Sequence, residues 1–291
     1  MHPPVSGQSW QSLRNTLIII RDFAHDRETL DWLLDHGADI SRTDTQRLDN
    51  GFNLAVESSD NSLHLLNIVA ANGDINLFDH LVSRGADPSR SLALHTASKC
   101  QDHEKSRAMV CHLLDKHNMD INVDDKTFRD TFNGVFDEGS PMCSAVIHHN
   151  LAVLRELLQR GASFSGPRSW PVSHAVMAKR GFLPALEPLL RGGADPTRAL
   201  KTSVRCMNLE AAKTCLEFGA DPTPALAQAF EHEEIRVKSV AEDAEYFEEH
   251  PEFWDERYAE EEKAAEKESK SIIDFLKRAT ESYTASCTAS L

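Results

Sequence analysis

The chain has 291 residues, of which 41% are hydrophobic and 26% charged, and its net charge at pH 7 is −15. This composition is that of a folded protein rather than of a fibrous or wholly disordered one. The acidic balance argues against nucleic acid and anionic membrane surfaces as direct partners, because both attract basic surfaces. No apolar run approaches the roughly 20 residues that a membrane-spanning helix needs, so no membrane partner is expected.

After a flexible N-terminus expected at 1–10, six segments end in the same way: a Leu-rich amphipathic stretch, then a helix stop. Leucines three and four residues apart form one apolar face of a helix. A glycine after that face supplies the left-handed conformation that ends a helix, and in the third copy an asparagine takes its place. In the fourth copy Leu157 and Leu158 are predicted to lie in the core. The predicted stops are Gly37, Gly85, Asn118, Gly161, Gly193 and Gly219.

A shorter helical pattern rich in small side chains precedes most of these stretches, as in the segments 66–74 and 140–150. Two helices, a tight turn and a glycine stop, recurring at roughly 33 residues, resemble the ankyrin repeat. The match is best in 66–90, and Leu94-His95-Thr96-Ala97 matches half of the family's Thr-Pro-Leu-His-x-Ala signature. The copies are degenerate and look more like a diverged, fungal-type ankyrin protein than a consensus one. The resemblance implies that His95 packs between repeats.

Two connections, 40–61 and 121–139, exceed what such a repeat requires and are predicted to be long loops within an array spanning 11–222. The first is rich in Asp, Asn, Ser and Gly, whereas the second contains aromatic residues that either fold back on the array or contact a partner. The resemblance implies that connecting fingers and inner helices contact a protein partner. The predicted partner-binding residues are charged and aromatic side chains of the connections: Arg42, Asp44, Arg47, Arg90, Asp124, Asp125, Arg168 and Trp170.

The C-terminal region, 223–283, is predicted to form a capping hairpin of two long helices at about 224–249 and 252–282, with a tail at 284–291. Apolar residues recur at helical spacing on both sides of His250-Pro251, which interrupts the pattern. Residues 231–270 contain 16 acidic and 6 basic side chains, about two thirds of the net charge. A disordered acidic insertion is the alternative that this composition leaves open.

The sequence offers no convincing reactive site. The six cysteines are expected to be reduced thiols, since none forms a Cys-x-x-Cys pair and no secretion signal is evident. The densest set of possible zinc ligands is Cys100, His103, Cys111 and His112, but Cys111 and His112 are adjacent and point about 100° apart on a helix. We therefore expect no catalytic, cofactor-binding or metal-binding residues, no cofactor and no enzymatic activity.

The expected fold class is all-α: an ankyrin-like helical solenoid of about six to seven repeats ending in a long acidic helical hairpin. The function that this implies is that of a non-enzymatic adaptor or scaffold, monomeric and either cytoplasmic or nuclear. It would bind one or more unknown proteins through the concave repeat surface. The alternative is a charge-driven module whose acidic C-terminal hairpin binds a basic protein or mimics nucleic acid.

Overall fold

The computed structural model describes residues 27–36, 40, 43–47, 57–125, 129–130, 139–164, 170–177, 181–250 and 256–289. Within these ranges the chain is predominantly α-helical, which agrees with the helical class expected from the sequence. The predicted flexible N-terminus, Gly37, Arg42 and Arg168 lie outside the described residues. The chain divides into two compact units, Met1–Ser169 and Trp170–Leu291.

The first unit is built from short helices that pack in two rows. The first helix of each pair, called an inner helix below, contacts the inner helix of the next pair, so that α2, α4 and α6 follow one another. The second, outer helices are α3, α5 and α7, and each packs against the inner helix of its own pair. The described helices of this unit are α1 (Arg27–Asp35), α2 (His64–Asn72), α3 (Ile75–Ser83), α4 (Ala93–Ala97), α5 (His103–Asp115), α6 (Pro141–Ile147) and α7 (Leu151–Gln159).

The second unit repeats this pairing and ends in two much longer helices. Inner helices α8, α10 and α12 contact one another in order, and outer helix α11 contacts both α9 and α10. The acidic block is helical over 231–249 and again over 256–270. The last helix continues to Ala289, past its predicted end at 282 and into the segment predicted as a tail. The described helices are α8 (Pro171–Val176), α9 (Leu186–Arg191), α10 (Pro196–Arg205), α11 (Leu209–Glu217), α12 (Thr223–Glu249) and α13 (Glu256–Ala289).

The same tight turn joins the inner and outer helices of three pairs. Its central residue has a positive φ in each case: Gly73 at 70°, His149 at 58° and Met207 at 54°. The next residue caps the outer helix, its side chain accepting a hydrogen bond from the backbone N–H three positions later. These capping residues are Asp74, Asn150 and Asn208. The same backbone conformation and cap therefore recur along the chain although the central turn residue differs from pair to pair.

The outer helices stop where the sequence predicts. Gly161, after α7, has a φ of 78°, and the N–H of Ala162 donates to the carbonyl of Leu157 five residues earlier. Gly85, Gly193 and Gly219 also have positive φ. Asn118 follows α5 with a φ of 49°, which asparagine tolerates better than most side chains.

The two long connections contribute strands that the sequence analysis expects as loops. Strand β2 (Glu57–Leu63) pairs antiparallel with β1 (Thr43–Arg47) and with the short β3 (Arg129–Asp130). The register places Gln46 opposite Ser58 and Ser59 opposite Asp130. Backbone hydrogen bonding thus organises these segments. Because β1 and β2 are almost entirely polar, they lack the alternation of apolar and polar residues from which a strand is predicted.

Buried hydrogen bonds join successive helix pairs of the first unit. The Asn150 side chain donates to Ser106 Oγ at 2.8 Å and to the carbonyl of Ser98 at 3.3 Å. Ser144 Oγ donates to the carbonyl of His95, and His95 Nε2 lies 3.0 Å from the carbonyl of Gly139. His95 is buried, and its position between neighbouring helices is the one that the resemblance implies. Such bonds fix the register between pairs, because a slipped helix would leave buried polar groups unpaired.

Ion pairs join successive outer helices in the same unit. Arg160, at the end of α7, contacts both carboxylate oxygens of Asp115 at the end of α5, at 2.5 and 2.9 Å. Arg84, after α3, contacts one oxygen of each of two carboxylates of α1, those of Asp31 and Asp35. The basic partner follows or ends its own helix, where a positive charge also favours the helix dipole. No described helix is both long and apolar enough to cross a membrane.

Candidate functional site

The predicted partner-binding residues do not form one described site. Asp44 and Arg47 lie on β1, and Arg90 is exposed in a 3₁₀ turn at Pro88–Arg90. Trp170 precedes α8 and is 54% exposed. Asp124 is half-buried.

Asp125 differs from the expectation for a contact residue, because it is only 1% exposed. Its backbone N–H donates to the carbonyl of Gly139, which ties this end of the long connection to the start of α6. A side chain so deeply buried cannot meet a partner without local unfolding. Asp125 is therefore not part of an accessible surface, and its burial indicates that it contributes to packing instead.

A groove in the second unit runs between the inner helices α10 and α12 and has a volume of about 580 Å³. Its α10 wall carries three basic side chains at positions i, i+3 and i+7, namely Arg198, Lys201 and Arg205. This spacing places them on one face of the helix. All three are exposed, and none forms an ion pair with another described residue.

The α12 wall of the groove combines apolar and polar groups. Ile235 is 60% exposed, and Pro224 and Ala227 lie nearer the start of the helix. Gln228 Oε1 is shielded from solvent and has no hydrogen-bond partner among the described residues. A buried polar atom without a partner costs free energy, but because the surrounding protein shields this oxygen, a ligand in the groove reaches it only if the Gln228 side chain rearranges.

Two other cavities of this unit are lined by charges that already have partners. The cavity of about 720 Å³ between α9 and α11 is lined by Arg191, which pairs with Glu187 at 2.7 Å and lies over the ring of Phe218. The cavity of about 330 Å³ between α12 and α13 is lined by Arg236, which pairs with Glu233 and Glu262. The α10–α12 groove differs because its cations remain available to an external group.

This groove is not among the sites predicted from the sequence, although the spacing of basic residues along α10 is a feature that indicates it. The predicted partner-binding residues lie in the connections, where ankyrin-like fingers are expected, and none lies on α10. The basic residues of Pro196–Arg205 recur at helical spacing with no acidic residue between them. Their isolation in an acidic chain is the feature that indicates a binding surface.

A second cluster lies in the first unit. Asp79 of α3 is contacted by Lys116, by His112 of α5 and by His117 in the turn after α5. Burial raises the pKa of Asp79, but hydrogen bonds from these three side chains outweigh it and lower that pKa to about 2. The carboxylate is therefore ionised at neutral pH. Among the described residues, these two imidazoles and this carboxylate are the set whose ligand atoms could hold a metal ion.

Cys100, Cys111, Cys143, Cys206 and Cys215 are free thiols. Among the described residues, the set considered around Cys100 does not form a cluster of possible ligands. Cys215 is fully buried in α11, and burial raises the pKa of its thiol to about 11. Burial likewise raises the pKa of Cys111. A thiol with a raised pKa is protonated at neutral pH and is a poor nucleophile.

Comparison of the chain with protein-family models and with curated protein sequences finds no match.

Proposed function

We propose that this protein is a non-enzymatic, ankyrin-like adaptor that holds an acidic segment of a partner protein in the α10–α12 groove. The observation that carries the proposal is the row of Arg198, Lys201 and Arg205, exposed and without ion pairs, on an inner helix of an acidic chain. Carboxylates of a partner would pair with these cations, as surfaces of opposite charge do at interfaces.

Three features of the groove support a peptide segment as the occupant. Its length along α10 spans about two helical turns, which accommodates a short extended or helical stretch of chain. Ile235 offers apolar area beside the cations, and the half-buried His232, which also lines the groove, offers a ring nitrogen for hydrogen bonding. Glu231 of α12 also lines the groove and opposes this pairing, as one anion against three cations. The acidic residues farther along α12 act more weakly, because at physiological ionic strength charges are screened over about 8 Å.

The ankyrin-like assignment rests on recurrence of local chemistry. Helix pairs that differ in sequence share a positive-φ turn residue, an Asp or Asn cap and a glycine stop. Stacked pairs of this kind present their inner helices to partners, so a groove between two inner helices lies where such a protein is expected to bind. With its free thiols we place the protein, as a monomer, in the cytoplasm or nucleus.

The experiment selects ligands from a random phage-displayed peptide library with the full chain and measures the affinity of the enriched peptides by fluorescence anisotropy. We expect enrichment of peptides rich in Asp and Glu. The variant Arg198→Glu/Lys201→Glu/Arg205→Glu should bind them at least about tenfold more weakly, because reversing three charges should cost more than the ~1.4 kcal/mol that equals a factor of ten.

The matched control reverses three exposed lysines outside the groove, Lys213, Lys267 and Lys277. This variant has the same net charge as the groove variant, so it shows how much repulsion alone contributes. Selected peptides that bind both variants equally would contradict the proposal, as would enrichment of basic peptides. Circular dichroism on both variants verifies that they remain folded.

The acidic C-terminal helices support a second candidate, in which they bind a basic protein surface. Glu242, Glu245 and Glu248 of α12 are exposed, as are Glu260 and Glu261 of α13. A fluorescent polylysine peptide distinguishes the two functions. If this surface is the binding site, Glu260→Gln/Glu261→Gln weakens polylysine binding and leaves binding of the selected acidic peptides unchanged.

A further inference from the structure

The side chains around Asp79 converge on one oxygen atom. His112 Nε2 lies 2.8 Å and His117 Nε2 2.9 Å from Asp79 Oδ1, and the three ligand atoms lie within 4.8 Å of one another. Asp79 belongs to α3, whereas the two histidines belong to the end of α5 and the turn that follows it. The site therefore exists only when two neighbouring outer helices are packed together.

The cluster is sheltered from water. The His117 side chain is 9% exposed, and those of His112 and Asp79 are 18% and 28% exposed. The Phe78 ring packs 5.3 Å from the His117 ring, and the two imidazoles meet edge to face at 5.2 Å. Neighbours that restrict the rings hold both Nε2 atoms toward the carboxylate, which is the preorganisation that a metal site requires.

From this geometry we propose that Asp79, His112 and His117 bind one Zn²⁺ ion. Two neutral imidazole nitrogens and one carboxylate oxygen are a donor set that zinc accepts, with a fourth position left to water. Zinc lies about 2.0–2.2 Å from each such ligand, which places tetrahedral ligand atoms roughly 3.3–3.6 Å apart. Each nitrogen therefore moves about half an ångström or slightly more away from Asp79 Oδ1 when the ion binds. The proposal is independent of the α10–α12 groove and departs from the sequence-based expectation of no metal.

Lys116 is compatible with this site. Its Nζ contacts Asp79 Oδ2 at 2.6 Å, which leaves Oδ1 to coordinate the metal through a single oxygen. A hydrogen bond to the second oxygen of a coordinating carboxylate is a common outer-shell interaction and fixes the orientation of the ligand. The Lys116 side chain is 57% exposed, so its charge can also move into solvent when a dication arrives.

The preceding junction of outer helices provides a natural comparison. His80 Nε2 of α3 contacts Asp31 Oδ1 of α1 at 2.6 Å, as His112 contacts Asp79. The other side chain near that oxygen is the guanidinium of Arg84, at 3.4 Å, and a guanidinium cannot coordinate a metal because it has no free lone pair. The two junctions thus share one imidazole and one carboxylate, and the second imidazole is specific to the site proposed.

The experiment titrates chelator-treated full-length protein with ZnCl₂ by isothermal calorimetry. The wild type is expected to bind one ion at this site. Replacing an outer-shell partner typically weakens metal affinity about 10–100-fold, so losing a ligand in His112→Gln or His117→Gln should weaken it at least that much. His80→Gln, the matched control, should bind zinc like the wild type. Circular dichroism shows whether each variant is folded.

Nitrogen NMR of the wild-type histidines provides a second measurement that needs no variant. Zinc should shift the Nε2 resonances of His112 and His117 together, with saturation at one equivalent, and leave those of His80 in place. Zinc affinity unchanged in both glutamine variants would overturn the proposal and show that other histidines bind the ion. Resonances of His112 and His117 that do not respond would overturn it as well and leave the cluster a hydrogen-bonded contact between helices.

Discussion

At the residue scale, neighbouring side chains with the same chemistry occupy different environments. The sequence analysis places both Leu157 and Leu158 in the core, because both follow the apolar pattern of α7. In the structure Leu157 is fully buried, whereas Leu158 is only half-buried. The spacing predicts a face of the helix, but it does not resolve which leucine at the edge of that face is covered, because this depends on the neighbouring helix.

Leu157→Ala is therefore expected to be the more destabilising of two chemically identical changes. Truncating a fully buried leucine leaves a cavity and costs about 2–5 kcal/mol. Leu158→Ala should cost clearly less, since part of its side chain already contacts water. Urea unfolding followed by circular dichroism measures both, and equal losses would contradict the burial assigned to α7.

The pair Gly192-Gly193 tests the role of the left-handed helix stop. Gly193 has a φ of 105° and Gly192 one of −77°. No atom lies within 4 Å of a Cβ built on Gly193, so its substitution is strained only through the backbone. Gly193→Ala should lower the free energy of unfolding by about 1–2 kcal/mol, the penalty of the left-handed conformation.

Gly192→Ala is the control for that change, because alanine adopts its φ without strain. It is expected to leave stability unchanged or slightly raised. Thermal unfolding of the two variants distinguishes the positions. A Gly192 variant that is the less stable of the two would show that the helix stop is not where the structure places it.

At the element scale, α12 and α13 are joined by a polar cluster inside their contact. Glu233 accepts hydrogen bonds from Arg236 at 2.8 and 2.9 Å and from Ser269 Oγ of α13 at 2.5 Å, and Arg236 also contacts Glu262. Tyr258 of α13 donates a hydrogen bond to Asp243 of α12. Residues later in α12 thus contact residues earlier in α13, which is the order of an antiparallel pair. Hydrogen bonding to Arg236, then to Ser269, lowers the pKa of Glu233 from 4.5 to about 2.

That lowered pKa predicts how acid acts on this contact. A carboxylate with a depressed pKa in the folded state stabilises it fully above its unfolded value, near 4.5, and loses the contribution as the pH falls toward 2. Hydrogen bonds to a charged group contribute about 1.5–3 kcal/mol, so Glu233→Gln should lose stability at pH 7 and show a weaker decline between pH 5 and pH 3.

The measurement is the free energy of unfolding across that pH range. Glu234→Gln serves as the control, because Glu234 is exposed on the same helix. If the wild type and the Glu233 variant lose stability in parallel on acidification, the cluster does not link the helices in solution.

Helices were predictable at this scale, and the groove was not. The first long helix is predicted at 224–249 and observed at Thr223–Glu249, because Thr-Pro and His-Pro mark its ends. The Asp79 cluster joins residues 33 and more positions apart in different repeats, and no local spacing relates them. The groove depends likewise on which faces of α10 and α12 are left uncovered.

At the scale of the whole molecule, apolar burial is unevenly distributed along the chain. Between 66 and 90 the side chains of Leu66, Val69, Phe78 and Leu81 are buried. Between 237 and 268 no described side chain is buried. A region without buried apolar side chains gains little hydrophobic stabilisation to offset the backbone entropy lost on folding, which is roughly 1–2 kcal/mol per residue.

Amide hydrogen exchange should therefore be faster in 240–248 and 256–260 than in 66–83. Like charges in the acidic block add repulsion, so added salt should slow exchange there by screening. Exchange measured by mass spectrometry at low and high salt tests both expectations. Protection of these segments equal to that of 66–83 would contradict the uneven distribution of stability.

The central claim, that a partner's acidic segment lies in the α10–α12 groove, is tested most directly by site-specific photocrosslinking. A benzophenone amino acid replaces Thr202, which lines the groove, or Thr284, which is exposed near the end of α13. We expect the selected acidic peptide to crosslink at position 202 and not at 284, and excess unlabelled peptide to abolish the product. Crosslinking at 284 alone, or equally at both positions, would contradict the claim.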